Sequence, residues 1–426
     1  MSEPHYEVGP DFAARMDGED PLRRFRDDFL FPPALHGGPV VYLAGNSLGL
    51  QPKKARKYIE QELEDWARHG VEGHFQARKP WLPYHELVTE SVARVVGALP
   101  QEVVVMNTLT VNLHLMMVSF YRPTPTRHRI LMEASAFPSD QYAVASQVHL
   151  HGFDPATSIE TVAPRAGETC LRPDDLLERI EREGDSVALV LIGNVNYLTG
   201  QAFDMGSITR AAHAKGCRVG FDLAHGAGNL RARLHDEGPD FAVWCSYKYL
   251  NGGPGTLAGC FVHERNARSK ELPRLAGWWG HDKTTRFQMG PTFNPIDGAE
   301  GWQLSNPPIF QLAALRASLE LFDAATMDAL ASKRDLLTGY LEFLLDRLPP
   351  GFCTLTTPRN LRERGVQLSL RLRGNPKALL ERLAQEGIVC DFREPDIIRA
   401  APAPLYCSFD DVFRFVRTLD GFAQAG

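Results

Sequence analysis

Asp222 closes an apolar run, Arg218–Leu223, and His225 follows three residues later in a glycine-rich turn. A second run, Asp240–Trp244, delivers Ser246, Tyr247 and Lys248 into Asn251-Gly252-Gly253-Pro254-Gly255, where no regular element continues. If both runs are strands, a carboxylate and an amine leave neighbouring strands at one edge of a sheet. A lysine there can form a Schiff base with an aldehyde, and an aspartate can keep a pyridine nitrogen protonated so that the ring accepts electrons. Those are the two groups that pyridoxal phosphate (PLP) requires. A lone lysine after a strand is more commonly a solvated surface residue, and a lone aspartate a turn residue. Lys248 instead sits between two tyrosines and ahead of glycines that admit close backbone approach. The cofactor reading is the better one.

The elements needed to position these groups are present. Val103–Met106, His128–Glu133, Ser186–Ile192, Arg218–Leu223 and Asp240–Trp244 read as strands, with Leu257–His263 returning along the edge. Helical patterns at Leu113–Tyr121, Ser139–Leu150, Pro173–Glu183 and Ser207–Lys215 alternate with them. Such alternation implies an α/β fold whose mostly parallel sheet lies between helices, with ligands beyond the carboxyl ends of the strands. Val103–Met106 feeds Asn107-Thr108-Leu109-Thr110-Val111-Asn112 into a helix. Free N–H groups at a helix start favour an anion such as a phosphate, and threonine capping is the alternative. Two further helices are expected at 53–70 and 84–99.

The composition changes after Asn306-Pro307-Pro308. Ile309–Ala324 and Met327–Leu348 read as long helices, and Val366–Leu372 as a strand exposed on one face. Pro376–Gly387 (helix), Ile388–Phe392 (strand) and Phe409–Phe422 (helix) complete an α+β unit. The expected division is 1–50 as an N-terminal arm or part of the small domain, 51–309 as the large domain and 310–426 as the small one. The arm has one short helix-like patch near Pro21–Phe29.

With 426 residues, 44% hydrophobic and 23% charged, the chain is ordinary globular protein. A net charge of −6 gives no footprint for nucleic acid. Seven scattered cysteines form neither a disulfide framework nor a metal motif. The start of the chain lacks a signal-peptide layout and no run approaches membrane-spanning length. No membrane association and a cytoplasmic location are the expectations.

The segments FDLAHGAGN (221–229) and WCSYKYLNGGPG (244–255) resemble kynureninases, PLP enzymes of the aspartate-aminotransferase fold superfamily. So do Leu43–Pro52, Phe137–Asp140, Tyr197–Gln201, Gly277–His281, Ser305–Ile309 and Ile398–Ser408, which together span nearly the whole chain. The resemblance implies PLP fold type I, with a seven-stranded-type sheet in the large domain and a smaller C-terminal domain. It implies hydrolytic cleavage of the Cβ–Cγ bond of L-3-hydroxykynurenine or L-kynurenine, giving L-alanine and 3-hydroxyanthranilate or anthranilate. Tryptophan catabolism and NAD precursor synthesis are the implied context.

Residue by residue, the resemblance assigns Lys248 as the Schiff-base lysine and proton-moving base, Asp222 as partner of the pyridine nitrogen and Asp140 as a second acid near the ring. Phe137 would stack on the ring, although a core aromatic is an equal reading of the sequence. Leu109, Thr110 and Tyr247 would hold the phosphate, with Tyr247 also donating a proton, and His225 would lie on the cofactor side. Arg399, in an apolar setting where an unpaired guanidinium is costly, would bind the substrate carboxylate, with Asn46 on the substrate side. A salt bridge to a protein carboxylate is the alternative for Arg399. Trp278 and Asn306 would come from the second subunit of a homodimer with shared sites. His74, Ser305 and Asn306 would form a polar slot suited to a ring hydroxyl, which favours 3-hydroxykynurenine. The competing functions are an aminotransferase or cysteine desulfurase of the same fold, and a PLP-fold binding protein without catalysis.

Overall fold

The computed structural model describes residues 5–35, 37–269 and 271–425. The central sheet has seven strands: β1 Val103–Met106, β2 Arg129–Glu133, β3 Ile159–Val162, β4 Val187–Gly193, β5 Arg218–Asp222, β6 Phe241–Cys245 and β7 Ala258–Val262. Their spatial order is β1-β7-β6-β5-β4-β2-β3. Only β7 runs antiparallel to its neighbours. Apart from the edge strand β3, these strands are largely apolar along both faces because both faces are covered, as parallel sheets require. Val103 and Val105 pack into one core and Val104 and Met106 into the other, so side-chain alternation divides each strand between two layers. Helices Leu109–Phe120, Pro138–Leu150, Pro173–Glu183 and Met205–Ala214 connect successive parallel strands.

β7 lies between β1 and β6, so the expectation of a strand returning along the edge is corrected. β3, a short strand with polar residues at the far edge, was not expected from the sequence. The helix expected from Leu113 begins at Leu109. That shift brings Leu109 and Thr110 into the first turn, next to the end of β1.

Two close approaches fix the strands that end in the candidate residues. Gly220 faces Phe241 across β5 and β6, and Gly259 faces Trp244 across β7 and β6. A Cβ on Gly220 would lie 2.1 Å from the Phe241 ring, and one on Gly259 would lie 2.0 Å from Trp244. Each aromatic side chain therefore lies across its cross-strand glycine.

The second sheet comprises β8 Cys353–Leu355, β9 Leu368–Leu372, β10 Asp391–Arg393 and β11 Ile397–Ala400, antiparallel in the order β8-β9-β11-β10. The single strand expected over Ile388–Phe392 is two: Ile388–Val389 pairs in parallel with Val41–Tyr42, while Asp391–Arg393 joins the second sheet. β9 is exposed on its polar face only at Arg371, not along the whole face as expected. Gln367 and Ser369 are fully buried because they hydrogen-bond to the backbone of 197–198, so the polar alternation faces another part of the protein.

The N-terminal segment contains a helix, Pro10–Glu19, absent from the sequence expectation, and a 3₁₀ turn at Arg23–Asp28 near the expected patch. It lies on helices Met327–Leu345 and Phe409–Ala425. Tyr6 and Phe12 meet Tyr340, Lys333 pairs with Asp20 at 2.6 Å, and Asp17 accepts from the first backbone N–H groups of the last helix. Helix Ile309–Ala325 packs against Lys53–His69 and Glu86–Val96. No described helix is long and apolar enough to cross a membrane.

Gly220→Ala is expected to lower stability by about 1–3 kcal/mol, the usual cost of overpacking a dense core. A urea midpoint equal to that of the unsubstituted protein would show that Phe241 does not depend on the glycine.

Candidate active site

A cavity of about 160 Å³ opens beyond the carboxyl ends of β2, β4, β5 and β6. Leu109, Thr110, Phe137, Asp140, Asp222, His225, Tyr247 and Lys248 all line it. These are eight of the sequence-assigned residues, drawn from four separate segments. The sheet order explains the meeting: β5 and β6 are neighbours, so Asp222 at the end of one and Lys248 just after the other share a wall.

Lys248 Nζ lies 3.0 Å from His225 Nε2. Burial, and then the nearby Lys248 charge, hold His225 well below the usual histidine range. The imidazole is therefore neutral. If Nε2 accepts from the ammonium, the ring proton sits on Nδ1, which is buried with no partner. Lys248 Nζ is also 5.9 Å from the centre of the Phe137 ring and 5.8 Å from that of Tyr247. Burial raises the Tyr247 phenol, which stays protonated at neutral pH.

At one end of the cavity Asp222 and Asp140 are in contact. Asp222 Oδ1 accepts from the backbone N–H of Ala224 at 2.6 Å, which fixes its carboxylate. Burial raises both carboxyls, and the charge of Asp222 raises Asp140 further. The proton of the pair therefore belongs on Asp140, which leaves Asp222 as the anion.

At the other end two helix N-termini converge, those of Leu109–Phe120 and Pro138–Leu150. Thr110 and Ser139, each in a first turn, share a hydrogen bond of 2.9 Å. Thr108 makes no side-chain cap, so the capping alternative does not describe this threonine-rich start. The first-turn N–H groups of Leu109 and Thr110 and that of Ser139, with two hydroxyls, form a place for an anion.

Arg399 is fully buried and pairs with Asp391 at 2.7 Å. The alternative of a protein salt bridge is therefore realised, because an unpaired guanidinium could not be held there. Asp391 takes Nε and Nη2, while Nη1 donates to the Tyr197 carbonyl at 2.6 Å and Nη2 also reaches Ser47 Oγ at 3.3 Å. Asn46 is buried beside this group: its Nδ2 donates to Gln367, which itself donates to the Tyr197 carbonyl. Asn46 Oδ1 has no partner. Tyr197 lines the main cavity and packs edge-on against Phe137, which joins the arginine group to the lysine group.

The remaining four assigned residues are not brought to the cavity within this chain. His74 is half-buried against Trp81 and bonded to the Val71 carbonyl. Trp278 is 41% exposed and donates to the Arg286 carbonyl. Ser305 and Asn306 are exposed and border a separate cleft with Asn107, Thr108 and Val111.

Sequence reasoning missed Glu133, Ser139 and Tyr197 in the cavity wall and Asp391 beside Arg399. Glu133 carried the same signal as Asp222, a carboxylate closing an apolar run. Ser139 and Tyr197 stood inside segments already singled out. Asp391 had no such signal.

Buried polar atoms without partners, an amine beside a neutral imidazole, an anionic carboxylate at one end and helix N-termini at the other suit an aldehyde-bearing heteroaromatic phosphate such as PLP. Among the described residues, Asp391→Ala would leave the Arg399 guanidinium buried against an uncharged site. It is expected to cost about 3–5 kcal/mol in urea unfolding. A cost below about 1 kcal/mol, typical of exposed pairs, would show that Arg399 does not rely on Asp391.

A family model for the kynureninase C-terminal domain matches residues 330–419. The chain is 70% identical over 425 residues to a kynureninase of Myxococcus xanthus, covering 100% of both chains. It is 60% identical over 417 residues to one of Koribacter versatilis, covering 98% of both. Among solved structures, a cysteine desulfurase of Thermococcus onnurineus superposes with TM-score 0.76 at 16% identity, covering 99% of this chain and 100% of that one. An Escherichia coli cysteine desulfurase gives TM-score 0.75 at 19% identity, covering 95% and 98%. With the fold shared across such low identity and the sequence shared over its full length, the chain belongs to the kynureninase family, within PLP fold type I.

Proposed function

We propose that this protein hydrolyses the Cβ–Cγ bond of L-3-hydroxykynurenine, with L-kynurenine a slower substrate, releasing L-alanine and the matching anthranilate. The observation that carries the reading is the Lys248 amine 3.0 Å from a neutral His225, in a cavity that also holds the Asp222–Asp140 pair. PLP bound through Lys248 supplies the electron sink that the bond cleavage needs.

The chain's own groups supply the rest. Asp222, kept anionic because Asp140 holds the shared proton, pairs with the pyridine nitrogen. Leu109, Thr110 and Tyr247 hold the phosphate at the helix N-termini, and Phe137 covers the ring. Arg399, fixed by Asp391 at Nε and Nη2 and by the Tyr197 carbonyl at Nη1, presents its remaining N–H groups to the substrate carboxylate. Asn46, with a free carbonyl oxygen beside it, lies on the same side. Lys248 removes the proton from Cα. Water adds to the aryl-ketone group, its oxygen to the carbon and one proton to the ketone oxygen. The Cβ–Cγ bond breaks to leave the aryl carboxylate. Tyr247 protonates Cβ and is restored by the proton the hydrate gives up, and Lys248 returns its proton to Cα to complete alanine.

His74, Trp278, Ser305 and Asn306 complete the site in this reading from the second subunit of a homodimer. The exposure of Trp278, Ser305 and Asn306 in the single chain, with Val71, Phe75 and Phe287 also exposed nearby in sequence, supports that assembly. The division at residues 50 and 309 belongs to the same proposal, with the N-terminal segment serving the small domain. The products would enter tryptophan catabolism and NAD precursor synthesis.

Cysteine desulfurases are among the solved structures of similar fold, so that activity needs an answer from this chain. A desulfurase requires an exposed, reactive thiol, and none of the seven cysteines is exposed. Burial pushes Cys390 up to about 12, far from the thiolate form at neutral pH.

The test compares kcat/KM for 3-hydroxykynurenine and kynurenine with the PLP-loaded protein. The 3-hydroxy substrate is expected to be faster. Asn306→Ala should lose about 1–3 kcal/mol of that advantage, roughly 5- to 150-fold, with little change for kynurenine. A faster reaction with kynurenine would overturn the substrate assignment. Cleavage of neither, with accumulation of the amine form of the cofactor, would favour an aminotransferase.

A further inference from the structure

The cavity wall contains a third carboxyl group that the proposed reaction does not use. Glu133 ends β2, is 5% exposed and faces the same space as Asp140, Asp222 and Lys248. Its Oε2 accepts from Asn196 Nδ2 at 3.2 Å. The amide orientation is set independently, because Asn196 Oδ1 already accepts from the backbone of Leu198 and Thr199 and from the Thr199 hydroxyl. Glu133 Oε1 lies 3.2 Å from where a Cβ on Gly193 would stand. The missing side chain at Gly193 therefore leaves room for this oxygen at the cavity wall. Among the described residues no cation pairs with Glu133.

Charge balance makes this arrangement consequential. Three carboxyls, Glu133, Asp140 and Asp222, face one lysine and a histidine that stays neutral. Three anions against one cation cannot be held in a buried site, so protons must remain on some of the acids. Asp140 shares its proton with Asp222, whereas Glu133 has only an amide donor.

We propose that Glu133 is a positioning residue of the cofactor cavity, an acid whose ionisation adds a second anion beside Asp222 and strengthens the hold on the protonated cofactor. This rests on PLP occupying the cavity. Burial and the Asp222 charge raise Glu133 to about 7 against the bond from Asn196, which places its proton loss in the neutral range. The unfolded chain releases this proton near 4.5, so stability is full below that pH and falls as pH rises toward about 7.

The test is a pH titration of the visible absorbance of the bound cofactor in wild type, Glu133→Gln and Glu133→Asp. Removing the anion should lower the pH midpoint of Glu133→Gln by about one pH unit, the effect of losing one nearby charge. Glu133→Asp, which retracts the charge, should move it the same way by less, and it carries the test if the glutamine variant does not fold. In urea unfolding, Glu133→Gln should also lack the fall in stability between pH values of about 4.5 and 7. Absorbance midpoints equal to wild type would overturn the proposal, even if Tm fell, because a merely structural role lowers Tm without moving the titration. A wild-type protein that takes up no PLP would instead overturn the cofactor reading itself.

Discussion

Asp140 and Asp222 share one proton in a buried space whose cation is Lys248, and the surrounding architecture is arranged around that imbalance. Two carboxylates side by side could not both ionise there. Keeping the proton on Asp140 leaves Asp222 charged, and the Ala224 N–H holds that charge in one direction. His225, stripped of its own charge by burial, can then accept from the lysine without competing for the anion. Each condition requires water to be excluded, and the two-sided packing of the sheet provides that exclusion. The cross-strand glycine–aromatic contacts at Gly220 and Gly259 matter for the same reason, since they fix the strands from which both charges emerge.

The second sheet extends this logic to a guanidinium. Arg399 is carried on β11, fully out of water, and Asp391 on β10 stands directly opposite it. Holding one edge of the arginine on a protein carboxylate leaves the other edge oriented rather than free to search rotamers. β9 and the residue before it press Ser369 and Gln367 onto the 197–198 backbone, which couples the arginine group to Tyr197 and so to the cavity. A substrate spanning both groups would be held at two points with little ordering left to do.

Much of the site was legible in the sequence for one physical reason. Charged residues that close apolar runs, such as Asp222, or stand among tyrosines and glycines, such as Lys248, are out of place unless a ligand or partner explains them. Glu133 obeys the same rule, but no motif assigns a role to the carboxylate that ends His128–Glu133, although Phe137–Asp140 follows four residues later. The β-strand alternation of 366–372 misleads because polar residues at this spacing ordinarily face solvent, whereas Gln367 and Ser369 face backbone acceptors. The Pro10–Glu19 helix was hidden by its flanking glycine and proline, and β3 by its length of four residues and its polar content. The Arg399–Asp391 pair depends on which strands become neighbours, which local pattern does not encode. The positions of His74, Trp278, Ser305 and Asn306 depend on a second chain in the proposed assembly.

In the proposed function, Lys248 is the residue that holds the cofactor. Borohydride reduction of the PLP-loaded protein, followed by digestion and peptide mass spectrometry, tests it directly. A phosphopyridoxyl adduct confined to the peptide carrying Lys248 is the predicted result. An adduct on a different lysine, or no adduct after saturating cofactor, would contradict it.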